Sequence, residues 1–524
     1  MGRRPGLLPR RRGDRRVKRR LFSIAFLFLG WNVFAAAPGQ TTYDQFCAGC
    51  HGRDRLGGMG AALLPDNLSR LKKADAVGVI ADGRPGVQMP PYRRVLGEAQ
   101  IRDVVELIYT PLDPAPSWSE ADIRASRVEH YASGSLPAAP QFSADPLNLF
   151  VVVEAGDHHV TILDGDRLEP ITRFASRYSL HGGPKFTRDG RYVYFASRDG
   201  WISKFDLWNL KMVAEVRAGI NTRNAAVSYD GRYVIVANYL PHTLTVLDHD
   251  LNFLKIIEAP SRISAVYDAP PRSSFVAALK DVPELWEISY DPKAAPIPTG
   301  LVHDFRLKEG SFEPGFLNPR RTPLTDVLDD FFFAPGFGTL VGAQRDGKRG
   351  RVVQLDARRE IASVDLPGLP HLGSGISWER NGRRVMATPN LRDGVVSVID
   401  MQTWKTIAHI PTLGPGFFLR SHEASRYAWV DSMMSPKGRD TLEVIDKQTL
   451  QVAARLTPVP GKTLAHIEFD RYGRYALASL WEQDGALIVF DAATLAEVKR
   501  IPMKRPVGKY NVYNKIMRSE GTSP

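Results

Sequence analysis

Cys47-Ala48-Gly49-Cys50-His51 sets two thiols three residues apart with an imidazole directly after the second, and the chain has no other cysteine. Two thiols one helical turn apart can add to the two vinyl groups of a haem, and the adjacent His51 then lies under the iron. A CxxC pair alone would serve equally a redox disulfide or half of a zinc site. The following histidine and the lack of further cysteines favour covalent haem c, with Cys47 and Cys50 as attachment points and His51 as axial ligand. A soft sixth ligand is expected downstream. Met89, in Val87-Gln88-Met89-Pro90-Pro91-Tyr92, is preferred over Met59, because Glu98–Tyr109 has helical apolar spacing and would close a small cytochrome behind its ligand loop. His/Met ligation raises the reduction potential, so this module reads as an electron port.

A second set of residues is scattered. His181, His371, His422 and His466 each stand beside Gly or small residues, and each is expected just ahead of a repeated strand; together they suggest an iron or acid–base site. His158, His159 and His242 read as exposed turn residues. The repeats decide whether four such distant histidines can meet. Phe186-Thr-Arg-Asp-Gly-Arg-Tyr-Val-Tyr-Phe195, Val227-Ser-Tyr-Asp-Gly-Arg-Tyr-Val-Ile-Val236 and Phe469-Asp-Arg-Tyr-Gly-Arg-Tyr-Ala-Leu-Ala478 share one pattern, with weaker copies near Asp145, Pro270, Asp326, Trp378 and Ser425. Each unit combines a Gly turn, an alternating strand and a later strand ending near Asp, as in Val398-Ile-Asp400 or Val444-Ile-Asp446. Eight units of about 46 residues match the period of four-stranded propeller blades. The expected fold is an all-α c-type cytochrome domain followed by an all-β eight-bladed propeller, with seven blades as the alternative because the fifth unit is irregular.

The ends and joints follow from composition. Residues 1–20 carry nine Arg and one Lys against one Asp, so most of the formal +12 sits there and the rest of the chain keeps only about +3. That removes the main argument for a nucleic-acid partner. The apolar run Leu21–Ala37 behind the basic stretch has the order of a signal peptide, with cleavage expected after Ala35 and a membrane anchor as the other reading. The domains are therefore read as a signal peptide (1–35), a cytochrome (36–112), a Pro/Ala/Ser-rich linker (113–144) and a propeller (145–524). The expected location is the periplasm, with no membrane contact after cleavage.

Five further motifs, taken together, are specific: Arg177-Tyr178-Ser179-Leu180-His181, Tyr192 through Arg198-Asp199-Gly200, Pro370-His371-Leu372-Gly373-Ser374-Gly375, Gly416-Phe417-Phe418-Leu419-Arg420-Ser421-His422 and Gly508-Lys509-Tyr510-Asn511-Val512-Tyr513-Asn514. With a monohaem cytochrome in front, they resemble the cytochrome cd1 nitrite reductases and their relatives in haem d1 biosynthesis. The resemblance implies non-covalent binding of haem d1 or its dihydro precursor, His181 as proximal iron ligand, and His371 and His422 as distal histidines. Lys185, Arg198 and Arg223 are the cations positioned to pair with the carboxylates of that macrocycle. The His-Gly-Gly-Pro-Lys-Phe loop, the short segment before Cys47 and His466 in place of a non-basic residue look like the biosynthetic branch. That branch implies oxidation of the propionate of dihydro-haem d1 to an acrylate. His466 is then the first choice for the general base and His371 the second, with electrons leaving through the c-haem to a periplasmic acceptor. Tyr131 and Tyr239 could supply a hydroxyl. Nitrite reduction through His371 and His422 and non-enzymatic haem d1 carriage are the alternatives. Cytochrome cd1 nitrite reductase and other d1-biosynthesis proteins are the expected partners.

Overall fold

The computed structural model describes residues 37–517 apart from Met59, Arg70, 84–88, 301–310 and 345–348. The basic leader, its cleavage site and Met59 lie outside the described residues. Among the described residues, no helix is long and apolar enough to cross a membrane.

Residues 40–109 form a small helical domain. Its short helices Gln40–Phe46, Ala48–His51, Pro65–Leu68 and Lys73–Asp82 pack with the longer Glu98–Tyr109. The last presents Ile101, Val104, Val105 and Ile108 on one face, the i, i+3, i+4, i+7 stripe that buries against Tyr43, Ala76 and Ile80. Gln100 caps its start by accepting the Gly97 amide at 3.0 Å.

Among the described residues, eight sheets of four or more strands follow. Seven have four strands; the eighth, spanning Lys185–Arg217, gains a fifth at its outer edge from Val128–Glu129. The chain is thus an eight-bladed propeller behind a cytochrome c module. The repeated sequence features each close a turn. Asp189 accepts the Arg191 amide at 3.0 Å while Gly190 takes a left-handed φ of +71°. The aspartates ending the third strands act likewise: Asp400 accepts the amides of Gln402 and Thr403 at 2.9 and 2.8 Å, and Asp446 those of Gln448 and Thr449 at 2.9 Å. The irregular stretch falls one blade earlier than the sequence suggested: Ile297–Pro298 pairs with Phe312–Glu313 as an excursion before Pro319–Pro323 completes the sheet that begins at Ile263. The ring closes by circular exchange, since the C-terminal strand Pro506–Asn511 pairs antiparallel with Leu149–Glu154, the first strand of the propeller.

The segment between the two modules is ordered. Ser119 and Asp122 cap the helix Glu120–Ser126, whose Ile123 is fully buried against a propeller blade. Trp118 donates from its indole to the Arg217 carbonyl at 2.8 Å, and the Arg217 guanidinium lies 4.6 Å from that ring while donating to the Leu56 carbonyl of the cytochrome. Ala62 and Leu64 of the cytochrome bury against Ile220 and Leu240 of the propeller. Arg217 therefore links three segments through one side chain.

Candidate functional site

In the cytochrome, the helix Ala48–His51 turns His51 inward, and its Nδ1 sits 2.7 Å from the Ala61 carbonyl. That bond fixes the ring and leaves Nε2 for iron. Burial holds the imidazole below its ordinary pKa, in the neutral form a ligand needs. Gly60 packs flat on this ring: a Cβ there would stand 2.7–3.2 Å from imidazole atoms. Cys47, Cys50, His51 and Met89 line one cavity of about 560 Å³. Its cytochrome side is otherwise largely apolar, with Phe46, Leu68, Ile80 and Ile108 among its walls. This donor set fits a covalently attached haem.

A second cavity, of about 460 Å³, lies on the propeller and is lined by His181, Lys185, Arg198, Arg223 and His371. Two left-handed glycines after His181, Gly182 at φ +80° and Gly183 at φ +69°, bend the chain into Lys185–Phe186. Gly182 is required, because a Cβ there would meet Asn224 Cβ at 2.6 Å. His181 Nδ1 is 2.8 Å from the Arg223 carbonyl, and Arg198 Nη2 is 2.9 Å from Nε2. His371 is held alike, Nδ1 at 2.8 Å from the Phe417 carbonyl, with its ring tilted against Phe417 at 4.2 Å. Burial keeps it neutral. Lys185 Nζ lies 5.6 Å from the Tyr267 ring. Cationic groups and two oriented imidazoles around one space suit a macrocycle bearing iron and carboxylates.

The four histidines do not all meet as the sequence suggested. His181 and His371 precede opening strands and share the cavity, but His466 lies within a strand (Leu464–Phe469) and His422 comes after one (Leu419–Arg420). His422 stands two residues beyond the cavity-lining Arg420, past the end of the short strand Leu419–Arg420. Its Nε2 is 3.2 Å from the Arg471 carbonyl and its Nδ1 accepts the Ala424 amide at 3.1 Å. It is not among the residues lining the cavity.

His466 sits one ring behind the cavity wall. A β-bulge between Ala465 and Ile467 gives it a φ of +50° and turns its ring between Phe418, at 4.5 Å, and Tyr510, at 5.1 Å, both of which line the cavity. It is fully buried, and neither ring nitrogen has a hydrogen-bond partner among the described residues. Burial, with Lys509, Arg420 and Lys515 nearby, drives its pKa well below the ordinary histidine value.

Sequence reasoning gave no role to several residues of this wall. Asp431 is fully buried, and its carboxylate accepts the amides of Phe417 at 2.8 Å, Phe418 at 3.2 Å and His466 at 3.1 Å, so one side chain sets both the loop and the bulge; burial pushes its pKa up to about 6. Arg420 lines the cavity almost wholly buried, bonded through Nη1 to the Leu419 carbonyl at 2.8 Å, while its Nε has no partner among the described residues. Burial raises the Tyr510 phenol to about 12. His158, read as a turn residue, lines both cavities together with Ser179 and Arg198. Tyr239 faces the cytochrome-side cavity, and Tyr131 lines neither.

The family model for the cytochrome D1 heme domain matches residues 144–515, and that for the cytochrome c oxidase, cbb3-type, subunit III matches residues 34–108. The chain is 55% identical to the dihydro-heme d1 dehydrogenase of Pseudomonas aeruginosa over 93% of its own length and 96% of that protein's. It is 25% identical to the nitrite reductase of Stutzerimonas stutzeri over 92% of this chain and 94% of that one. The solved structure of dihydro-heme d1 dehydrogenase NirN in complex with DHE superposes with a TM-score of 0.83 at 55% identity, covering 92% of this chain and all of that one.

Proposed function

The chain belongs to the cytochrome D1 heme domain family, and on that premise we propose that it is a periplasmic dihydro-haem d1 dehydrogenase, converting the propionate of dihydro-haem d1 to an acrylate. The observation that carries this reading is the 55% identity to a dihydro-heme d1 dehydrogenase across both modules, against 25% to a nitrite reductase. The basic leader and the haem-attachment motif support export to the periplasm.

The reaction takes one hydrogen from each of two adjacent side-chain carbons, releasing two protons and two electrons as the C–C bond becomes C=C. Haem c, held on Cys47 and Cys50, would supply a one-electron acceptor for passing the electrons on to a periplasmic partner. His51 and Met89 are the residues proposed to ligate its iron. His181 and His371 are proposed to address the macrocycle iron from the loops that hold their Nδ1 atoms, and Lys185, Arg198 and Arg223 to pin its carboxylates, with Arg420 added by its buried place in the wall. His466 is proposed as the general base. Its low pKa keeps it neutral at working pH, its ring nitrogens are uncommitted among the described residues, and the cavity wall over it is a Phe and a Tyr ring. Tyr510 is the group through which such a base would reach the cavity. His371 remains the second choice.

The test is anaerobic incubation of the exported, haem c-loaded protein with dihydro-haem d1 and an electron acceptor, following macrocycle mass. Loss of two hydrogens is expected, slowed about 10²–10⁴-fold in His466→Ala and nearly unchanged in His422→Ala. A macrocycle that binds but keeps its mass would overturn the dehydrogenase reading.

A further inference from the structure

The cavity that holds Cys47, Cys50, His51 and Met89 has two unlike sides. The cytochrome contributes mainly apolar side chains, whereas the propeller contributes Arg198, Arg262 and Lys280, grouped around one ring: they lie 5.9, 5.8 and 5.4 Å from the centre of Tyr239. Four loops and strand ends build this collar. Arg198 sits between Tyr192–Ala196 and Trp201–Asp206, Tyr239 near the end of Tyr233–Leu240, Arg262 just before Ile263–Ala269 and Lys280 just after Ser274–Leu279. Two of the cations are braced from behind. Arg262 pairs with Asp281 through bonds of 2.8 and 2.6 Å, and Lys280 with Asp329 at 2.5 Å, while neither Asp281 nor Asp329 lines the cavity. Among the described residues, Asp66 is the one carboxylate that does, against three cations.

We infer that the propeller, rather than the cytochrome, holds the carboxylates of haem c. A haem c has an apolar ring and two carboxylates, and the apolar side of this cavity and its collar divide along the same line. Lys280 is only 5% exposed; Asp329 and Asp281 offset part of the charge from behind, but the cations stand on the cavity side, and in so little water the nearer charge acts more strongly on a redox centre there. They favour the reduced haem, which carries one positive charge fewer, so the collar raises the haem c potential. Each cation comes from the propeller, so the potential of the electron port is set by the domain that delivers the electrons. The inference rests on haem attachment at Cys47 and Cys50 and is carried by Arg262 and Lys280, since Arg198 also lines the propeller cavity, where it is proposed to meet the other macrocycle.

The experiment is spectroelectrochemical titration of the full-length, haem c-loaded protein free of haem d1, comparing wild type with Arg262→Gln/Lys280→Gln. These two positions line only the cytochrome-side cavity, so haem d1 chemistry does not enter the readout. The double variant is expected to lower the potential by at least a tenfold change in the reduction equilibrium, about 59 mV for one electron, with covalent haem content unchanged. Arg262→Lys/Lys280→Arg, which retains both charges, should keep the wild-type value and separates charge from disturbed packing. A potential that does not move in the Gln variant, or that moves equally in the charge-retaining one, overturns the inference. So does an unmoved potential accompanied by weaker haem d1 binding, which would assign the collar to the other macrocycle.

Discussion

The two cavities are built in opposite ways. The residues proposed to serve the cytochrome cavity are a five-residue run, Cys47–His51, together with one loop methionine; those proposed for the propeller cavity come from loops and strand ends spread from His181 to Tyr510. A covalent cofactor needs its reactive groups at fixed spacing on one helical turn, so local sequence suffices. A non-covalent macrocycle is gripped by side chains from many blades, and their convergence is a property of the closed ring. The first site should fail through local geometry and the second through the loss of single long-range anchors.

The largest separation between the two is expected from Arg420→Leu. Removing a buried guanidinium from the propeller wall forfeits a charge-assisted bond of about 1.5–3 kcal/mol, or roughly 10–100-fold in affinity, for the macrocycle. The haem c spectrum should stay as in wild type; fluorescence-quench titration with haem d1 measures the first and visible absorption the second. If both change together, the cavities are not independent. The converse variant is Gly60→Val, which drives a side chain onto the His51 ring and should cost about 1–3 kcal/mol of overpacking. It should perturb the low-spin haem c bands in visible and magnetic circular dichroism spectra while leaving haem d1 affinity alone.

The smallest effect is in pH dependence and comes from His466. Its folded pKa lies well below 6.5 because of burial and then of Lys509, Arg420 and Lys515. Below pH 6.5 the unfolded chain takes up a proton that the folded chain refuses, so stability is undiminished above 6.5 and declines as pH falls beneath it. The slope is at most about 1.4 kcal/mol per pH unit. Denaturant midpoints from pH 7.5 to 5 should show this decline, reduced in His466→Phe. In the same window the acid limb of kcat should be absent, since the base stays neutral. An acid limb centred near 6.5 would remove His466 from that role.

The blades were legible because each copy needs the same turn chemistry, Asp189-Gly190 at one corner and Asp400 or Asp446 at another. The loops bearing His181 and His371 were legible because glycine marks them. His422 follows Phe417, Phe418 and Arg420 so closely in sequence that spacing does not say the chain has left the cavity wall and turned the ring to the Arg471 carbonyl. His466 reads in sequence as one residue of an alternating strand, yet the bulge that turns its ring between Phe418 and Tyr510 depends on the Asp431 carboxylate from the preceding blade. Arg420 and Tyr510 were visible as parts of motifs, but strand alternation gives a face without saying which end of it meets the cavity. His158 carried no signal, since its place between the cavities follows from where the cytochrome sits.

The strand that closes the ring also carries Lys509, whose ammonium is fully buried and donates to the His466 carbonyl and to Ser479 Oγ at 2.9 Å, and Tyr510, which faces the cavity. Without it, the first blade lacks its innermost strand and the His466 ring lacks one of its two flanking rings. Closing the ring and completing the cavity wall are thus one event: a chain cut short before residue 506 would expose an unfinished blade and leave the cavity without Tyr510.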